Sequence, residues 1–441
     1  MKLFFPIRLR IFAAATLLLI ASGCIMPFQK DERPNILIIV TDDQRYDTME
    51  FMPQTQAAIF DQGVTFKHGF VTTPLCCPSR ASILTGKYAS NHGVINNDYE
   101  LEEPTFIELM KKNGYYTGLV GKYLNSWKGD PRPEYDYWVS FQFGETRYYH
   151  PRLNVNGEWI RHQDEYVTYS LGNYVIEFLG KAARTNKPFI LLYTPNAPHN
   201  PATPANEDLN LLADLPPHRP PSFDEPDIAD KPEWMLRDGP LHPDIIKMID
   251  EYRLNQLRTL ASLDRAIDDI MQELDSLGML DNTMIIFLSD NGAHWGEHRL
   301  FSKNTFYDEA SRVPFAVRYP ALVSEPHIDE QHVVASIDIA PTALDLAGIP
   351  IPETMDGLSL IRLLNGTSDW RDGVLIEGWP PRGTYTAVHT GNHVYAETLG
   401  DISEFYDLLN DPYQLQNLIQ DPAYQSLINE HQELLRRLTG R

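Results

Sequence analysis

The apolar positions of the chain gather in short unbroken runs, each followed by small, polar or charged residues. Asn35–Thr41 (NILIIVT) is apolar and β-branched, the pattern of a strand buried on both faces. Met284–Leu288 (MIIFL) repeats it, and Tyr116–Val120, Phe189–Tyr193 and Val313–Arg318 are further buried-strand candidates. Helical stretches lie between them. Thr105–Asn113 stops at Gly114, and Pro243–Leu277 carries Leu260, Leu263, Ile267, Ile270 and Leu274 at helical spacing before Gly278. Strands alternating with helices predict an α/β fold with a parallel sheet covered on both faces. From about Arg371 the pattern changes to short strands with turns, as in Tyr385–Thr390, Gly391-Asn392 and His393–Thr398. That predicts a small antiparallel C-terminal subdomain. Between Pro195 and Pro243 stand 12 of the 33 prolines, with little periodicity, so this window is expected to be an ordered excursion over a functional surface.

The first residues stand apart from this pattern. Lys2, Arg8 and Arg10 flank an apolar stretch, Ile11–Ile20, which is too short for a full membrane span and reads as an export signal. Ala21-Ser22-Gly23-Cys24 then resembles a bacterial lipobox, which implies lipidation of Cys24 and a membrane tether without a spanning helix. A plain secretory signal is the alternative. By the same resemblance, Ile25 after the anchor favours an outer-membrane or cell-surface location. The expected layout is a signal peptide over 1–23, a tether over 24–34, a catalytic domain over 35–365 and the C-terminal subdomain over 366–441.

Charge narrows the partners. The 441 residues hold 37 Lys+Arg against 60 Asp+Glu, a formal net charge of −23, which argues against a nucleic-acid ligand. Any anion must be held by a local basic cluster in a cleft. Three cysteines cannot build a disulfide framework.

In open α/β sheets, ligands bind beyond the carboxyl ends of strands. Asp42 and Asp43 follow the first strand, and Asp290 and Asn291 follow MIIFL. Oxygen ligands alone suit a hard cation such as Ca²⁺ or Mg²⁺. A single acid after a strand more often caps a helix, but two such pairs on strands distant in sequence favour the cation.

The stretch Pro74–His92 reads PLCCPSRASILTGKYASNH. Cys76, Pro78, Ser79 and Arg80, followed by Thr85-Gly86-Lys87, resemble the sulfatase signature C-x-P-S-R…T-G-K/R, through which the first cysteine is oxidised to formylglycine (3-oxoalanine). The resemblance continues through Thr41-Asp42-Asp43, Gly121-Lys122, Ala197-Pro198-His199, Ser289-Asp290-Asn291-Gly292, and Gly296-Glu297-His298 with Lys303. It ends in Glu404–Leu408 with Asp411-Pro412 and Asn417-Leu418. Three blocks, LCCPSRASILTGKY, GKYLN and TPNAPHNP, are similar to the glucosamine-6-sulfatase and heparan sulfate sulfatase branch. Leu124 stands where many arylsulfatases carry a histidine, which leaves the base for the second half-reaction unassigned.

The resemblance implies an alkaline-phosphatase-like fold, with a large mixed, mostly parallel sheet. It implies a cation, Ca²⁺ or Mg²⁺, held by Asp42, Asp43, Cys76 as formylglycine, Asp290 and Asn291. Arg80, Lys122 and Lys303 would neutralise the sulfate, and His199 would protonate the departing sugar oxygen. His92, His294, His298 and Arg312 fall in matching blocks as secondary candidates for substrate binding. The implied partners are a sulfated sugar, a maturation enzyme that oxidises Cys76, and a membrane reached through Cys24. The expected reaction is removal of the 6-O-sulfate of N-acetylglucosamine from sulfated glycans. The rivals are a sulfatase for a different sulfate ester, a phosphonate or phosphodiester hydrolase on the same fold, and a glycan-binding lipoprotein with an unmodified cysteine.

Overall fold

The computed structural model describes Met1 and residues 31–236, 239–367 and 369–440. Cys24, the expected signal peptide and most of the tether lie outside the described residues. Among the described residues no helix is long and apolar enough to cross a membrane.

The strands in chain order are β1 (Asn35–Thr41), β2 (Val64–Phe70), β3 (Tyr116–Gly121), β4 (Tyr137–Ser140), β5 (Arg152–Val155), β6 (Glu158–Arg161), β7 (Phe189–Thr194) and β8 (Thr283–Ser289). After them come β9 (His294–Trp295), β10 (Phe301–Ser302), β11 (Phe315–Arg318), β12 (His327–Ala335), β13 (Val374–Gly378), β14 (Tyr385–His389), β15 (His393–Thr398) and β16 (Glu404–Asp407). Ten of these form one sheet in the order β12-β2-β11-β8-β1-β7-β3-β4-β5-β6. The central five, β8 to β4, run parallel. β11 is antiparallel to both of its neighbours, so the run that includes Phe315–Arg318 departs from the parallel pattern read for the buried strands.

Every residue of β1, β7 and β8 is buried, as their continuous apolar sequences require. Alternate side chains feed two cores. Ile36, Ile38 and Val40 pack with Ile286, Leu288 and the helix Cys76–Thr85 on one face. Leu37, Ile39, Ile285 and Phe287 pack on the other against the helices Val167–Ala182 and Pro243–Ser276. Each such buried aliphatic side chain contributes about 1.5–3 kcal/mol. The second sheet, β13-β14-β15-β16, is antiparallel throughout and packs on the helix Gln425–Thr439. Its core is shared with Phe70, Phe306 and Tyr307 of the main domain, so the subdomain is fastened to the large sheet rather than appended to it.

Candidate active site

The register Thr41↔Ser289 brings β1 and β8 to the same level at their carboxyl ends. The two exits are stitched together there. The Asp290 N–H donates to the Thr41 carbonyl (3.0 Å), the Gln44 N–H to Ser289 Oγ (2.9 Å) and the Asp43 N–H to Asp290 Oδ1 (3.1 Å). Asp43 takes the left-handed backbone (φ +66°), which turns the chain away from a helical path.

Cys76 opens a ten-residue helix in which every residue is buried. Its thiol therefore sits at the positive end of the helix dipole, a position that favours an anion. Arg80 lies one turn further along the same face. Its Nε donates to Asp290 Oδ2 (2.8 Å), and its Nη1 to the Lys122 carbonyl (3.1 Å). Arg80 Nη2 lies 3.6 Å from Asp42 and has no hydrogen-bond partner.

Lys122 is delivered by Gly121, at the end of β3 with φ +121°. A Cβ there would lie 2.0 Å from the Thr194 carbonyl oxygen, which accepts the Lys122 N–H (2.7 Å), so only glycine fits this close approach. The fully buried ammonium then donates to both oxygens of Asp42 (3.0 and 2.8 Å). Lys303 follows the β9–β10 hairpin. Its Nζ reaches Cys76 Sγ at 2.8 Å and hydrogen-bonds Asp43. His199 stands in the loop after β7, with Nε2 3.8 Å from Asp43 Oδ2.

Electrostatics follow from this packing. Burial opposes the charges of Asp42 and Asp43, but Lys122, His199 and Arg80 hold Asp42 ionised, and Lys303 and His199 hold Asp43 ionised. Burial also opposes a charged His199, yet the two aspartates raise its pKa to about 9. Three carboxylates thus face three basic side chains and an imidazolium, which leaves a positive cleft in an acidic chain. His199 and Lys303, with side chains 18% and 10% exposed, form its open side.

Asp42, Asp43, Cys76 and His199 carry ligand atoms that all lie within 4.8 Å of one another, a candidate metal site. Asn291 Nδ2 donates to Asp43 Oδ1 (2.6 Å), while Asn291 Oδ1 is buried without a partner. An orphaned amide oxygen beside two carboxylates fits a hard cation. Asp290 accepts from Arg80 and from the Asp43 N–H at the edge of this cluster.

The secondary sequence candidates lie elsewhere. His92 is buried against the helix Cys76–Thr85, 3.0 Å from Ser82 Oγ, and burial lowers its pKa to about 4. His294 pairs with Thr305 (2.7 Å) and His298 with Glu225 (2.7 Å), both fully enclosed. Arg312 donates to the Lys67 carbonyl and stacks over Tyr46. Leu124 is core. Sequence reading missed the supports of His199. The buried Tyr148 hydroxyl donates to the His199 carbonyl (2.8 Å), and Gln256 Nε2 to the Pro198 carbonyl (3.1 Å). Neither residue belongs to a motif that could have flagged it. The proline-rich window does cross the functional surface: it carries His199 and pairs Phe223 with Glu297.

Comparison with known proteins agrees with this site. The family described as Sulfatase matches residues 34–349, and the description N-sulphoglucosamine sulphohydrolase, C-terminal, matches residues 296–441. The chain is 34% identical to human N-acetylglucosamine-6-sulfatase over 407 residues, which is 84% of this chain and 72% of that protein. It is also 34% identical to the extracellular sulfatase SULF-1 homolog of Drosophila melanogaster over 80% of this chain, and spans about a third of that longer protein. A solved structure described in complex with its substrate D-glucosamine-2-N,6-O-disulfate superposes with a TM-score of 0.83 at 25% identity, covering 92% of this chain and 97% of that one.

Proposed function

The chain belongs to the sulfatase family, and from that premise we propose that it hydrolyses sulfate monoesters of sugars, its substrate being the 6-O-sulfate of N-acetylglucosamine units in glycosaminoglycan-type glycans. The observation that carries this reading is the convergence of Arg80, Lys122 and Lys303 around Cys76 in an otherwise acidic chain. The human relative's name and the substrate named for the solved structure support the choice of sugar and position.

Formylglycine derived from Cys76, with Ca²⁺ or Mg²⁺, supplies an activated oxygen nucleophile when both are present. Asp42, Asp43, Asp290 and the free Oδ1 of Asn291 would hold the cation. Lys122 and Lys303 then neutralise the equatorial oxygens of the sulfate, where charge stabilisation in a buried site is worth most. Arg80 orients residue 76 from one helical turn away. His199 holds the proton that the departing sugar oxygen needs. Its Nδ1–H donates to the Asn200 carbonyl (2.8 Å), which leaves Nε2 facing the aspartates and the site. Export and anchoring through Cys24 complete the reading, resting on the Ala21–Cys24 motif.

The test is inorganic sulfate release across N-acetylglucosamine-6-sulfate, its galactosamine analogue, a 2-O-sulfated uronic acid disaccharide and an aryl sulfate, with Cys76→Ala as blank. Release chiefly from the first is expected. Release chiefly from another member moves the substrate and keeps the chemistry. Silence across the panel with unmodified Cys76 by peptide mass spectrometry overturns the enzymatic reading. Acylation of the Cys24 peptide in the same spectra checks the anchor.

A further inference from the structure

Lys303 sits in an unusual piece of backbone. Ser302 (φ +78°) and Asn304 (φ +72°) on either side of it both take the left-handed conformation, and neither is glycine. Two such residues bracketing one lysine persist only where surrounding contacts fix the chain. Those contacts come from two directions. The Asn304 N–H donates to the carbonyl of Pro74 (2.9 Å), two residues before Cys76. The Asn304 side chain, 5% exposed, donates through Nδ2 to the Trp379 carbonyl (3.0 Å). Arg382 donates through Nε to the carbonyl of Lys303 itself (3.0 Å) and through Nη2 to that of Phe301 (2.9 Å). Trp379 and Arg382 both lie between β13 and β14, in the C-terminal subdomain.

We infer that Asn304 and Arg382 are positioning residues: they form a clasp through which the C-terminal subdomain holds Lys303 against Cys76 and Asp43. The inference rests on the reading of Lys303 as a group that grips the sulfate. Asn304 suits the role because asparagine tolerates the left-handed region better than other residues with a side chain. A single residue then ties the lysine loop, the loop of Cys76 and the second sheet together. In this arrangement the subdomain acts on the reacting centre through backbone geometry. A shift of about 1 Å in the ammonium is enough to cost on the order of 100-fold in rate.

The experiment is a double-mutant cycle on the sulfate ester that the wild type hydrolyses fastest. Asn304→Asp keeps the size and left-handed tolerance of the residue but removes the donor to Trp379. Arg382→Ala removes the other arm. Each is expected to lower kcat/KM by about 10- to 100-fold, with thermal unfolding showing a folded protein. In a Lys303→Ala background each is expected to add less than about threefold, because the group it positions is gone. Losses that multiply in full in that background overturn the inference and mark Arg382 as a substrate contact or both residues as merely structural. Wild-type activity in both single variants also overturns it. If Lys303→Ala alone retains full turnover, the reading of Lys303 fails and the inference falls with it, an outcome distinct from the other two.

Discussion

Two clusters of buried charge lie close together in this protein, and they are built on opposite plans. The first joins Asp42, Asp43, Arg80, Lys122, His199 and Lys303. Its lysines are shared between carboxylates and Cys76, and Asn291 Oδ1 and Arg80 Nη2 are left without partners. The second joins Arg45, His218, Glu225, Glu297 and His298. There Arg45 pairs with Glu297 (2.8 Å) and stacks on Trp295, His218 takes the same carboxylate (2.9 Å), and His298 pairs with Glu225. The first has an open side and a surplus of positive charge. The second is almost wholly enclosed; Glu225 and Glu297 already have their cations or imidazoles, and His298 Nε2 and Glu309 Oε2 beside them have no hydrogen-bond partner. Burial of charge therefore does not by itself mark a catalytic centre; surplus charge with an open side does.

Substitutions sharpen that contrast. The largest effect is expected at residue 76: Cys76→Ala abolishes sulfate release while Cys77→Ala retains much of it, measured as released sulfate on folded protein. Equal loss in both would remove the assignment of a single nucleophilic position. Next comes Lys122→Ala, expected to lower kcat/KM by about 10²–10³-fold, the scale of losing one preorganised charge donor at a reacting oxyanion. A loss below tenfold would return Lys122 to a structural ion pair with Asp42.

The enclosed cluster answers in stability. Tyr307 stacks on His298 and donates to Glu404 Oε1 (2.6 Å), which also accepts from Tyr406 (2.7 Å). Burial raises the pKa of Glu404 to about 7, against an ordinary value of 4.5. The folded state therefore binds a proton between pH 4.5 and 7 that the unfolded chain has released. Stability contributed by this proton is complete below pH 4.5 and is lost as pH rises through 7. Relative to Glu404→Gln, the wild type is expected to lose about 3 kcal/mol between pH 4.5 and 8, read from unfolding midpoints. Parallel profiles for the two proteins would refute this. The smallest effect is expected at Glu309. Burial, with Glu297 beside it, pushes its pKa well above the ordinary carboxylate value. Because burial favours the neutral carboxyl that glutamine mimics, Glu309→Gln should change stability by less than about 1 kcal/mol, with kcat/KM unaltered. A tenfold fall in kcat/KM would connect the enclosed cluster to the chemistry.

The parts of the fold legible in the sequence are those where one physical signal dominates. β1, β3, β7 and β8 are buried on both faces, so their sequences are continuously apolar and their bounds were readable to within a residue or two. β2 (VTFKHGF) and β12 (HIDEQHVVA) lie toward the sheet edge, mix polar with apolar residues, and give no such signal. The reversed direction of β11 was invisible because an apolar run has no polarity along the chain. At the site, the family resemblance named Cys76 and eight residues that the structure gathers around it. His294 and His298, which share a short stretch of sequence with Lys303, pair instead with Thr305 and Glu225. Tyr148, Gln256, Asn304 and Arg382 act on backbone carbonyls, which any donor of suitable reach can satisfy, so no motif announces them.

The pairing of Thr41 with Ser289 joins residues 248 apart in sequence, and the site hangs on that junction. Closing so long a loop carries an entropic cost that only a nearly complete sheet repays. Helices such as Pro243–Ser276 can form from local contacts well before then. On refolding, helical signal should return ahead of any ability to bind an anion. No fragment that ends before Lys303 or begins after β1 can hold the nine residues together, so the site is a property of the closed chain and of no part of it.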